Sequence, residues 1–152
     1  MYARDYEVGW GDVDANRHMR SPAYLDYAAQ TRFAFLAQHG FTPEAFAAAA
    51  IGPAILHDEV SYRRELRFLE TFNVDFQVAA QSEDGSRTIL LNRFIREDGK
   101  VAAEVKSLFV WLDLNTRRPV APPPALLAAM NAVDKAEGFQ VLEPLSSVKK
   151  AA

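Results

Sequence analysis

The stretch DYEVGWGDVDANRHMRSPAYLDYAAQTRFAFLAQHG, residues 5–40, changes texture twice. Tyr6, Val8 and Trp10 alternate with Asp5, Glu7 and Gly9, the two-residue period that gives a strand one apolar and one polar face. The residues that follow, GDVDANRHMRS, have no period and are rich in turn formers. Ser21 and Pro22 then stand where an N-cap and a first helical residue belong. Tyr24, Leu25, Tyr27, Ala28, Ala29, Phe33, Phe35 and Leu36 are apolar around much of a helix circumference, and Gly40 sits where a left-handed residue ends a helix. The pattern predicts a strand, a polar turn and a long, mostly buried central helix.

Outward from this stretch, Thr42 and Pro43 open an alanine-rich segment reaching Gly52, a short lid or flap helix. Strand texture begins at Ala54 with AILHDEVSYRREL. Phe72, Val74, Phe76 and Val78 then alternate with Asn73, Asp75 and Gln77, one strand with one apolar face. SRTILLNRFIRE and KVAAEVKSLFVWLDL are the next strands, and Asp84-Gly85 and Asp98-Gly99 suit the tight turns of an antiparallel meander. Four prolines between Pro119 and Pro124 precede a helix expected over Ala125–Glu137, with Gly138 beyond it. A single domain over 1–138 and a loose tail over 139–152 follow. The fold class is α+β, an antiparallel β-sheet wrapped around a long central α-helix. Ile89–Leu91 and Leu108–Leu112 are apolar on both faces, so part of the sheet is expected to meet another subunit.

Composition narrows the chemistry. The 152 residues are 49% hydrophobic and 24% charged with net charge −3, which argues for one ordinary globular domain and against a nucleic-acid partner. With no cysteine, thiolate nucleophiles and cysteine-based zinc sites are excluded. No apolar run approaches the roughly 20 residues of a membrane helix. The first residues lack a basic start followed by an apolar run, so no membrane association and a cytoplasmic location are expected.

The densest polar cluster is Asp12, Asp14, Asn16 and His18. It imitates the start of a calcium loop, but Arg17 stands where that loop needs glycine and Ala23 where it needs glutamate. Two aspartates with His18 are a weak metal set, and no metal is expected. A second reading uses the helix start, whose free N–H groups and positive dipole end suit a developing oxyanion. An upstream aspartate facing it across a carbonyl could attack, or activate water. The plain alternative is an aspartate that only caps the turn. Ser61, Ser107 and Thr88 lack a GxSxG elbow or a neighbouring base.

The run VGWGDVDANRHMRSPAYLDYAAQTRFAFL resembles the opening of the hotdog-fold thioesterases of the 4-hydroxybenzoyl-CoA and long-chain acyl-CoA type, and VSYRRELRFLETFNVDFQV resembles their second and third strands. The resemblance spans about residues 4–113. It implies hydrolysis of an acyl-CoA or aryl-CoA thioester without a cofactor. Asp14 falls on the catalytic aspartate and the Ser21 backbone N–H on the oxyanion donor, while Asp12 shapes the turn. His18 is a further candidate to orient the thioester or a water. Tyr24 has the best claim to the acyl pocket, and Arg63 and Arg64 are candidate contacts to the CoA phosphates, although alternation sets them on opposite faces. The chain departs from the family pattern at Arg17, where relatives carry glycine before the histidine, and at Arg20 and Ser21, where they carry asparagines. The resemblance further implies a homodimer or dimer of dimers with the site at the interface. The rival readings are a hotdog hydratase or dehydratase, and a non-catalytic acyl-binding or assembly module.

Overall fold

A computed structural model describes residues 1–145. Strand β1 (Ala3–Glu7) leads through one 3-10 turn at Trp10–Asp12 to helix α1 (Ser21–Gln38) and the short α2 (Pro43–Ala49). Strands β2 (Ile51–Tyr62), β3 (Thr71–Asp75), β4 (Gln77–Ser82), β5 (Thr88–Arg96), β6 (Val101–Asp113) and β7 (Arg118–Val120) follow. Helix α3 (Pro124–Asn131) and β8 (Lys135–Leu142) complete the regular structure of the described residues. All eight strands join one sheet that wraps α1, the α+β hotdog arrangement.

Strand β5 is the middle of the sheet, pairing with β6 on one side and with β3 and then β4 on the other. β6 pairs on its far side with β2, whose outer edge is bare among the described residues. β1 flanks β3, and β8 lies parallel to β4, the one parallel pair among the described residues. Alternation explains the two faces. Leu90, Asn92 and Phe94 of β5 are buried toward α1, whereas Ile89, Leu91, Arg93 and Ile95 are only half-buried. Ala23, Tyr24, Ala28, Thr31, Arg32, Phe35 and Leu36 recur at helical spacing and form the buried stripe of α1. No helix among the described residues is long and apolar enough to cross a membrane.

Several local expectations differ from the structure. α1 is buried along one stripe only, and Leu25 and Phe33 remain exposed beside it. It starts one residue early, with Arg20 as an extended N-cap held by its N–H to the Asp12 carbonyl at 2.7 Å. The strand over 72–78 breaks at Phe76 and buries both faces: the Asp75 carboxylate takes the Arg93 guanidinium at 2.6 Å, and Gln77 donates to it at 3.1 Å. The last helix stops at Asn131, not Glu137. Gly138, at φ +75°, lies within a register shift of β8 where β8 carries extra residues opposite β4. The expected boundary at residue 138 therefore falls inside a strand. Residues 146–152 of the expected tail lie outside the described residues.

Candidate active site

The polar turn before α1 is tied down at both ends. Val13 bridges Met19, His18 bridges Arg67, and the Met19 N–H donates to the Leu66 carbonyl at 2.7 Å. Within it, the Asp14 N–H donates to the His18 carbonyl, and Arg17 adopts φ +67°, the left-handed conformation glycine takes without strain. Arg17 therefore performs by force what a glycine at that position would perform freely.

The two aspartates have separate roles in this turn. Asp12 Oδ2 accepts from the Gly9 N–H at 3.0 Å and from the Tyr27 hydroxyl, which fastens the turn to the second turn of α1. Burial, followed by this bond to Asp12, pushes the Tyr27 phenol pKa upward. Asp14 Oδ1 accepts from the backbone N–H groups of Asn16 at 2.9 Å and His18 at 3.3 Å. Its Oδ2 has no protein donor among the described residues. One oxygen fixes the carboxylate and the other is left for chemistry.

At the helix start, Pro22 has no N–H and the Ala23 N–H is taken by the Arg20 carbonyl at 3.0 Å. The Ser21 N–H has no acceptor among the described residues, and it stands at the positive end of α1. Asp14, His18, Ser21, Tyr24, Arg63 and Arg64 line one cavity of about 320 Å³, together with Met19, Tyr62 and Glu65. The two arginines do not split between faces as strand alternation suggested. They lie just past the end of β2, where both N–H groups donate to the Ala102 carbonyl at 2.8 and 3.0 Å. Arg63 also reaches Glu104 at 3.4 Å.

His18 pairs with Glu65 through Nε2, and Glu65 also takes Arg67 at 2.7 Å. The Arg67 hydrogen bond, helped by the charges of His18 and Arg67, holds the Glu65 carboxyl below its ordinary range. Tyr24 is buried with its ring edge-on to Tyr62 and Phe94, at centroid distances of 5.3 and 5.1 Å. Burial, then the neighbouring Tyr62 and Asp14, raises its phenol to about 12. A phenol held neutral in the fold stabilises it fully below the unfolded value near 10 and ceases to do so as pH rises through 12. Alkaline thermal melts should therefore fall across that window, and Tyr24→Phe should flatten the fall.

Tyr62 and Glu65 were not singled out by sequence reasoning. Both sit near the end of a strand whose termination the alternation did not reveal. Among the described residues, no group of three or more His, Cys, Asp or Glu side chains is placed to hold a metal ion.

Comparisons with known proteins agree with this architecture. A family model for the thioesterase-like superfamily matches residues 8–130. No curated protein sequence matches the chain significantly. Among solved structures, a hypothetical protein from Staphylococcus aureus in complex with CoA superposes with a TM-score of 0.79 at 21% identity, covering 99% of this chain and 94% of that one. A 1,4-dihydroxy-2-naphthoyl-CoA thioesterase from Synechocystis gives 0.77 at 11% identity, covering 86% and 96%. A probable thioesterase from Escherichia coli gives 0.74 at 21% identity, covering 89% and 100%. A match over most of the length, on a sheet wrapped around one helix, makes this chain a member of the thioesterase-like superfamily.

Proposed function

We propose that the protein hydrolyses an acyl-CoA or aryl-CoA thioester to the free acid and CoA, with Asp14 and the Ser21 N–H as the reacting pair. The observation that carries this reading is a half-tethered carboxylate and an unpartnered helix-start N–H on one cavity. In the reaction, Asp14 Oδ2 either takes a proton from the attacking water or attacks the carbonyl itself, giving an anhydride that water then opens. On either route the carbonyl oxygen gains negative charge beside the Ser21 N–H and the α1 dipole. Collapse of the tetrahedral species expels the CoA thiolate. Arg63 and Arg64 supply positive charge for the CoA phosphates. His18, held by Glu65, positions the turn and the substrate. Its pairing with Glu65 instead of Asp14 disfavours a histidine–aspartate dehydratase site.

The working unit in this proposal is a cytoplasmic homodimer, or a dimer of dimers, with the site at its interface. Leu25 and Phe33 on α1, with Ile55, Leu56 and Tyr62 on β2, leave an exposed apolar surface suited to a second copy.

Ser21→Pro is the sharp test. Arg20 is already extended at φ −71° and ψ 150°, and proline is well tolerated at a first helical position, so the fold is retained. The substitution removes one N–H, and kcat on the best thioester of an aliphatic and aromatic acyl-CoA panel should fall about 10²–10³-fold. A wild-type enzyme inactive on the whole panel, or a fully active Ser21→Pro enzyme, would overturn the proposal.

A further inference from the structure

Arg32 is buried on α1, 8% exposed, in a position where a charged side chain is rarely found without a task. Its Nε donates to Asn92 Oδ1 at 2.7 Å and its Nη2 to Ser107 Oγ at 2.8 Å. The Ser107 hydroxyl in turn donates to Asp58 Oδ1 at 2.5 Å. These bonds fix one edge of the guanidinium. The end-on edge, made by Nη1 and the second N–H of Nη2, has no protein acceptor among the described residues. Burial lowers the Arg32 pKa to about 10, and the nearby Asp58 opposes the shift, so the group is charged at neutral pH.

Arg32 lines a second cavity, of about 140 Å³, whose other walls are almost wholly apolar: Phe33, Leu36, Ile55, Phe109 and Trp111 among them. Its size is close to that of a cavity that takes a benzene ring. Trp111 is 1% exposed, and its Nε1–H is a buried donor without a partner among the described residues. Two hydrogen-bond donors with spare capacity on one small apolar cavity are a costly arrangement unless an acceptor enters it.

The two cavities lie along the same helix. Tyr24 lines the candidate active site, and Ala29 and Phe33 line the second cavity. Leu25, Ala29 and Phe33 recur every fourth residue, forming an apolar stripe along α1 between the two. Ser21 and Arg32 are roughly 16 Å apart along the helix axis.

We propose that Arg32, assisted by Trp111, is the specificity residue for the far end of the acyl group and selects a tail that ends in an acceptor oxygen, a carboxylate above all. The free guanidinium edge matches a carboxylate in charge and in bidentate shape. The hydrocarbon part of the tail lies on the α1 stripe, and its end enters the cavity. This inference deepens the proposed thioesterase reading and rests on it.

The test compares kcat/KM for CoA thioesters of matched length with a plain, an ω-hydroxy or an ω-carboxy end. Wild type should favour the ω-carboxy over the plain tail by at least about tenfold, with ω-hydroxy between them. Arg32→Met should collapse that ratio, and Arg32→Lys should restore it only in part. Asp14→Asn lowers turnover of all three tails alike, which separates loss of chemistry from loss of selection. Trp111→Phe removes the N–H while keeping an aromatic ring at the site; the space it opens is shared by all three tails, so the ω-carboxy to plain ratio still reads the lost donor even if Arg32→Met does not fold. Calorimetric titration of wild type with a free dicarboxylic acid tests the pocket without turnover. Should no thioester be hydrolysed while the diacid binds in an Arg32-dependent way, the catalytic reading fails and the pocket stands. A wild-type preference for the plain tail, or a ratio untouched by Arg32→Met and Trp111→Phe, would overturn the inference.

Discussion

Asp14→Asn should reduce thioester turnover by about 10²–10⁴-fold, the range expected for losing a positioned base, and by more if the carboxylate is the nucleophile. The asparagine keeps the side-chain oxygen that accepts from the Asn16 and His18 N–H groups, so the turn survives. The substitution also leaves the Ser21 N–H and the cavity walls in place. Binding of a non-hydrolysable acyl-CoA should therefore persist while kcat collapses. Single-turnover kinetics with circular dichroism of the same sample checks this, and an active, folded Asp14→Asn enzyme would remove the carboxylate from the mechanism.

Phe94→Ala should cost about 3–5 kcal/mol of folding stability. Phe94 is fully buried on β5, stacked on Phe72 at 5.9 Å and edge-on to Tyr24 at 5.1 Å. Its cluster mates Val8, Leu66, Val74 and Val105 are themselves fully buried, so the space a lost ring leaves can be refilled only in part. Against a total stability of about 5–15 kcal/mol, such a loss takes much of the margin. The change also undermines Tyr24 from behind, so activity should fall with stability. Denaturant melts, read for a shift in midpoint at constant slope, measure the first effect.

What the chain disclosed before folding follows the range of its interactions. The long helix was legible in residues 5–40 as a local pattern, whereas residues 72–78 disclosed strand texture only: they hold the ends of two strands and bury both faces. The turn from Asp12 to His18 was legible as a polar cluster, and its likeness to thioesterases pointed to Asp14 and Ser21 within it. The burial of Arg32 was not legible, because its partners Asn92 and Ser107 lie 60 and 75 residues away in sequence. A polar residue in an apolar helix looks like a solvated face until those partners arrive. Asp75 is the same case: its alternation assigned it to solvent, yet Arg93 on the next strand draws it inside. Gly138 misled for another reason. A residue free to adopt positive φ serves a helix end and a strand irregularity equally well.

In a single copy the outer edge of β2 is unpaired among the described residues, and its side chains bear on which strand can join it. A strand of twelve residues with unpaired backbone groups is a template onto which any extended chain can add. Pro53 offers no N–H near one end, and Asp58 and Glu59 put two carboxylates at the middle. Neutralising those acids would leave the edge open to indiscriminate strand addition. The pair thus acts as a gatekeeper, and surface engineering of this chain should leave it alone.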